Sequence, residues 1–196
     1  MSNDNSTDVT ATSVASAVSE LPLSPGDWEL DRLHSAANFT IRHLGITKVR
    51  GRFTGLEAAL YVGETAADVR VSAEIALASI DTGNPDRDAH TRSADLLDVE
   101  KRPTMTFRST RVSGAGEDWT MEGDLAIGDV TRPVSFAVDL GGVAVSPLDQ
   151  REHAGFEATR EIRRGDFGLD FGTGLLSDVV KIHLDMQFIG PQGQDG

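Results

Sequence analysis

The chain contains no cysteine, which excludes disulfides, thiolate nucleophiles and cysteine-based zinc sites together. Basic residues are scarce. Lys and Arg number 18 against 31 Asp and Glu, a formal charge of −13. That balance lacks the basic footprint nucleic-acid phosphates require, so no nucleic-acid partner is expected. It also argues against holding an anionic membrane by net charge alone. No stretch approaches the roughly 18 apolar residues of a membrane-spanning helix. The opening MSNDNSTDVTATSVASAVSE has no Lys or Arg and no continuous apolar core. It does not read as a secretory leader, and a cytoplasmic location is expected.

What is present is alternation and turn chemistry. A length of 196 residues suits one domain with tails. Twenty glycines among short alternating runs point to an all-β protein rich in tight turns and bulges. Residues 1–26 are rich in Ser, Thr, Asn and Asp, end in Pro22 and Pro25-Gly26, and read as a disordered tail. Within them Val14 to Leu21 carry only a weak amphipathic pattern. Residues 190–196 read as a flexible C-terminal tail, leaving 27–189 as the domain.

About eight strand segments follow. Phe39, Ile41 and His43 share one face. Val49 to Val62 changes phase at Gly55, where a bulge or bend is expected. Val71, Ala73, Ile75 and Leu77 alternate with Arg70, Ser72 and Glu74; Met105 and Phe107 oppose Thr106 and Arg108. Met121, Gly123, Leu125 and Ile127 form the next face, then Phe136 and Val138, then Phe156, Ala158 and Ile162, a weaker match because Arg160 is in phase. The final run sets Ile182, Leu184 and Met186 against Lys181, His183 and Asp185. Strands with one apolar and one polar face belong to antiparallel sheets. Closure into an eight-stranded antiparallel barrel is preferred to a sandwich because it leaves no long edge strands. Such an interior is either filled by side chains or holds one ligand. The small residues Ala58, Ala73, Gly123 and Ala158 fit either case, and the pattern leaves both open.

Thr82 to Arg102 breaks the alternation. Asn84-Pro85-Asp86 is a helix start, and Ala89, Ser93, Leu96 and Leu97 then fall on one helical face. Asp88 and Arg92, four apart, are placed to pair. A short polar helix is expected, its small apolar edge turned onto the sheet and closing one end of the barrel. Arg87 and Arg92 read first as ion-pair partners of the neighbouring acids, and otherwise as groups that hold something at that end.

Catalytic and metal signals are sparse. Of the five histidines, His34, His43, His90, His153 and His183, none forms HExxH or His-x-His, and no metal site is expected. Ser35 beside His34 points to the opposite face of a strand, and there is no GxSxG. Asp-Phe-Gly at 166–168 lacks the rest of a kinase and is a chance match. Asp88 with His90 or His34 is a possible acid–base pair on solvated residues. His43, in phase with Phe39 and Ile41, reads as a hydrogen-bonded core residue or as a contact to a ligand head group.

Taken in order, the motifs resemble one family. They begin with Trp28-x-Leu30-Asp31-x-x-His34-Ser35, Phe39-x-Ile41-x-His43-Leu44-Gly45 and Val49-x-Gly51-x-Phe53. Ser79-Ile80-Asp81-Thr82-Gly83, Arg87-Asp88-x-His90-x-Arg92-Ser93-x-Asp95 and Pro103-x-x-x-Phe107 continue the match. Gly123-x-Leu125-x-Ile127-Gly128-x-Val130-Thr131-x-Pro133-Val134, Phe156-x-Ala158, Ile162-x-Arg164-x-Asp166-Phe167-Gly168 and the last strand complete it. The chain is similar to the YceI-like, polyisoprenoid-binding family over roughly residues 27 to 189. The resemblance implies an extended lipocalin-like barrel, commonly a homodimer, that stores or carries a long-chain isoprenoid or quinone-like lipid, in a stress-response setting. No other cofactor is implied.

The tunnel wall is expected from Phe39, Ile41, His43, Phe53, Val71, Ile75, Leu77, Leu96, Met105, Phe107 and Met121. It continues through Leu125, Ile127, Phe136, Val138, Phe156, Ile162, Phe167, Ile182, Leu184 and Met186. By position, His34, Arg87, Asp88, His90, Arg92 and Arg164 form its polar end. Each CH₂ taken from water contributes roughly 0.8 kcal/mol, so a few isoprene units outweigh ordering costs of about 4–15 kcal/mol. Two other readings stand beside this one. One is an enzyme using Asp88, His90 and His34 on a small hydrophobic substrate; the other is an interaction module with a filled core.

Overall fold

The computed structural model describes residues 21–192. Three long strands are each broken in two. β1 (Gly26–Leu30) continues as β2 (Ala36–His43), β3 (Thr47–Phe53) as β4 (Leu56–Val62), and β5 (Arg70–Ala76) as the short β6 (Ile80–Asp81). After helix α1 (Pro85–Arg92), five strands run unbroken: β7 (Thr104–Ala115), β8 (Asp118–Ile127), β9 (Val130–Val145), β10 (Glu152–Arg163) and β11 (Leu176–Ile189). Pairing runs β1-β4-β5-β7-β8-β9-β10-β11, and β11 returns to β1. The result is a closed eight-stranded antiparallel, lipocalin-like barrel. β2, β3 and β6 prolong the sheet at one end.

The bend expected at Gly55 is there. Thr54 N–H donates to the Ser79 carbonyl at 3.1 Å and Ala76 N–H to the Gly55 carbonyl at 2.9 Å, so β3–β4 and β5–β6 turn together. A Cβ on Gly55 would lie 3.0 Å from Ser79 Cβ and 3.1 Å from Ala76 Cβ. At the α1 end the barrel wall opens. β9 and β10 pair only as far as Ala137↔Thr159, while β10 follows β11 to Arg163↔Val179. A short 3₁₀ turn, Arg164–Phe167, fills the opening with the buried Phe167.

Two apolar clusters result. One gathers Leu77, Ile80, Phe107, Leu125 and Phe136 with Phe167 in the middle of the barrel. The other, around Trp28, Leu60, Val62, Ala154 and Phe188, closes the β1 end. Burying a Leu or Phe side chain contributes about 1.5–3 kcal/mol, so Leu23, buried in the second cluster, holds its segment against the barrel. Trp28 Nε1 also donates to the Ser24 carbonyl at 3.0 Å. The tail expected through residue 26 therefore ends sooner: Leu23 packs in the core and Gly26 opens β1. Gly190, placed in the C-terminal tail, donates its N–H to the Glu152 carbonyl at 2.7 Å. The weak pattern over Val14 to Glu20 and the ends of both tails lie outside the described residues.

Helix α1 forms as its start signal predicts. Asn84 Oδ1 accepts the Arg87 N–H at 3.0 Å, and Pro85 opens the first turn. It ends earlier than the apolar pattern, because Ser93 is extended and its hydroxyl donates to the His90 carbonyl at 2.7 Å, a local bond that competes with helix continuation. Ala89 is consequently exposed, and the apolar edge is carried by Leu97, buried in the turns beyond the helix. The expected Asp88–Arg92 pair does not form. Asp88 accepts from Thr82, while Arg92 donates Nε to the Ala78 carbonyl at 2.7 Å and an Nη2 to that of Ile80 at 2.6 Å.

Candidate functional site

Between α1 and the inner faces of β2 and β3 lies a cavity of about 740 Å³. Period-two alternation supplies one wall, with Phe39, Ile41 and His43 from β2 and Thr47, Val49 and Phe53 from β3. Gly51 shares that inward face and makes room for it. A Cβ there would lie 2.5 Å from the ring of Phe39, which packs 5.5 Å from the ring of Phe53. Met105 of β7, Ile127 of β8, Ile162 of β10 and Ile182, the cross-strand neighbour of Phe39 on β11, continue the lining, with Leu77 and Leu96.

A second cavity, about 140 Å³, continues towards β1. Met105 and Ile182 line both spaces and so stand between them. The narrow part is bounded by Val71, Ile75, Phe107, Met121, Leu125 and Phe136, and further down by Val138, Phe156, Leu184 and Met186. Here small residues serve packing: Phe107 lies against Gly123 and meets Phe136 edge-on at 5.5 Å. At the α1 end the barrel is hollow; nearer β1 it is mostly filled. Leu21 and Leu23 close its far end. Of the residues expected to line a tunnel, Phe167 alone borders neither space and serves as packing in the barrel core.

The expected polar end is dispersed. Arg87, His90 and Arg164 border the wide cavity. Arg87 spends Nε and an Nη2 on the hydroxyl and carbonyl of Thr82, at 2.8 and 2.9 Å. Arg164, buried, gives its nitrogens to the carbonyls of Ser177, Leu169 and Leu176. Asp88 is buried and accepts the Thr82 N–H and hydroxyl at 3.0 and 2.5 Å, which closes the loop leading into α1. It forms no acid–base pair with His90 or His34 among the described residues. Arg92 clasps the carbonyls before α1, as above, and makes no ion pair among the described residues. His34 is elsewhere, in the β1–β2 turn. Its Nδ1 is 2.7 Å from Asp31 Oδ2, and Gln187 Nε2 donates to the same oxygen at 3.0 Å. Burial alone would raise the Asp31 pKa, but the bonds from His34 and the Leu33 N–H bring it below the usual value.

His43 points into the cavity as its phase requires, yet it is exposed at the mouth and is not a core residue. Neither the His43 ring nor the His90 ring makes a hydrogen bond among the described residues. The loop 169–176 was missed as a wall: Leu169, Phe171, Leu175 and Leu176 line the cavity but carry no periodic signal. Val49, in phase with Phe53, was visible. Outside the barrel, Glu157, His183 and Asp185 place potential ligand atoms within 4.8 Å of one another. They face away from the cavity, opposite in phase to Phe156, Ala158 and Leu184.

These features define a lipocalin-like barrel with an internal apolar cavity. Comparison with known proteins narrows the class. The YceI-like domain matches residues 28–188, and the chain belongs to that family. It is 35% identical to Protein YceI of Escherichia coli over 165 residues, 82% of this chain and 85% of the relative. With a UPF0312 protein of Pseudomonas aeruginosa it shares 34% over 167 residues, 83% and 86% of the two chains. The Campylobacter jejuni YCEI protein superposes with a TM-score of 0.68 at 29% identity, covering 78% of this chain and 91% of that one. A polyisoprenoid binding domain from Saccharophagus degradans shares the fold at a TM-score of 0.64 and 18% identity, covering 84% and 98%. Among the described residues no helix is long and apolar enough to cross a membrane.

Proposed function

We propose that the chain binds a long-chain isoprenoid or similar apolar lipid inside the barrel, to store or carry it, with no reaction at the site. The observation that carries this reading is the pair of adjacent apolar cavities, about 740 and 140 Å³, with Met105 and Ile182 lining both. The larger lies within the range of about 300–1,000 Å³ common to small-molecule sites. A wide chamber beside a narrow one suits a head group followed by a slender tail. The name of the Saccharophagus degradans neighbour supports the ligand class by analogy.

The mouth favours a weakly polar head. Arg87 and Arg164 have committed nitrogens to Thr82 and to backbone carbonyls, whereas the rings of His43 and His90 face the space with no hydrogen bond among the described residues. A quinone carbonyl or a hydroxyl matches those donors better than a diphosphate does.

Native mass spectrometry of protein purified from its own host, with an organic extract run alongside, tests the reading. A stoichiometric adduct that extracts as a quinone or polyprenyl species is the expected result. An apo mass combined with no uptake of added isoprenoids would leave the interaction module. A cytoplasmic location and a homodimer belong to the same proposal, and fractionation and sedimentation of the full chain test them.

A further inference from the structure

The β2–β3 hairpin runs against the character of the rest of the chain. From Arg32 to Leu56 there is no Asp or Glu, in a protein of net charge −13. Arg42, Lys48 and Arg50 are exposed on this hairpin, and none has an acidic partner among the described residues. Alternation sets them opposite the cavity-lining Ile41, His43 and Val49. Arg42 and Lys48 are also direct cross-strand partners, and like charges in that position destabilise a sheet unless an anion comes between them.

The tip is apolar. Ile46 is 77% exposed, Leu44 51%, and Leu175, in the adjoining loop, 54%. The Leu44 N–H donates to the Leu175 carbonyl at 2.6 Å, which ties that loop to the hairpin tip. Leu44 and Gly45 have φ of 52° and 72°, the two positive values of a type I′ hairpin turn, where Asn-Gly or Asp-Gly is favoured. A leucine is a poor choice there for folding. His43, Thr47 and Leu175 belong at once to this tip and to the mouth of the wide cavity.

We propose that the β2–β3 tip is a docking element for an anionic lipid bilayer: Leu44, Ile46 and Leu175 enter the acyl boundary, and Arg42, Lys48 and Arg50 hold the headgroup phosphates. Docking there sets the cavity mouth against the membrane. A second copy of the chain fits this surface poorly, because a symmetric contact apposes identical basic patches. Acids flank the hairpin but are not on it: Asp86 and Asp95 sit on α1 and the turn after it, Asp170 lies in the loop that carries Leu175, and Asp178, early in β11, is paired with Arg163. A chain of negative net charge can dock this way because attraction to phosphates is local, screened beyond about 8 Å at physiological salt.

Co-sedimentation of the full chain, without isoprenoid, with vesicles of phosphatidylcholine alone or mixed equally with phosphatidylglycerol tests the element independently of the cavity's occupant. Binding to the mixed vesicles that weakens with salt is expected, with little to phosphatidylcholine. Leu44→Asn with Ile46→Thr suits the turn and should keep the melting temperature, yet weaken binding by about tenfold or more. Lys48→Glu should weaken it by roughly fivefold or more. No binding to the mixed vesicles, equal binding to both compositions, or undiminished binding by the Leu44/Ile46 variant overturns the proposal. A dimer that the same variant dissolves, without vesicle binding, assigns the tip to a second copy.

Discussion

Arg164 lays its guanidinium over the ring of Phe171, 4.8 Å from the centroid, while its nitrogens donate to three carbonyls of the segment 169–177. One buried fork thereby binds the loop after Phe167 to the start of β11, and that loop forms a wall of the wide cavity.

Arg164→Lys should lower stability by about 2–3 kcal/mol, since an ammonium cannot reproduce the planar fork or the stacking. Urea unfolding reads the loss. Hydrogen exchange should quicken first at Leu175 and Leu176, whose N–H groups bond the Gly172 carbonyl, before the barrel strands respond.

The boundary between the two cavities makes chain length measurable. Ile182→Trp adds bulk where the two cavities meet, so affinity for short isoprenoids should persist while the gain from additional units disappears. Titration with an isoprenoid series checks this. An undiminished gain per unit would show that the tail does not enter the narrow chamber.

Asp88 is a structural acceptor. Asp88→Ala leaves the Thr82 N–H and hydroxyl unpaired and should cost about 1–3 kcal/mol. Faster exchange of the α1 amides with an unchanged β8–β9 core is the expected signature. A turnover assay on the same variant, with any hydrophobic substrate found, should show no specific loss.

Stability should fall at low pH partly through Asp149. The hydrogen bond from His153, and then the Arg151 N–H, lower its pKa from 3.8 to about 2. A folded-state pKa below the unfolded value contributes stability that is complete above pH 3.8 and is lost as pH drops towards 2. In Asp149→Asn the decline of melting temperature over that window should be shallower, as pH-dependent calorimetry can show.

Helix α1 and the expected polar end show where sequence reading stopped. Asn84-Pro85 marks the start of α1 because a cap and a proline act locally. The end was misplaced because Ser93 bonds its own backbone, and nothing in an i, i+4 pattern reports that choice. Likewise His34 was grouped with α1 by their joint place in a motif series, although the β1–β2 turn holds it against Asp31 and Gln187.

The inward faces were legible in the sequence because a strand's side chains alternate with a period that needs no partner: Phe39, Ile41, Phe107, Leu125 and Leu184 could be assigned one by one, and closure followed from avoiding bare edges. Whether that interior was full or hollow was decided only in the tertiary structure. Gly51 and Gly123 look alike in sequence, but Phe107 packs down with Phe136 over Gly123, while Phe39 over Gly51 lines the open chamber. Void volume depends on how strands bend and separate across the barrel, at Gly55 and between β9 and β10, and those are relations among distant residues that no local period encodes.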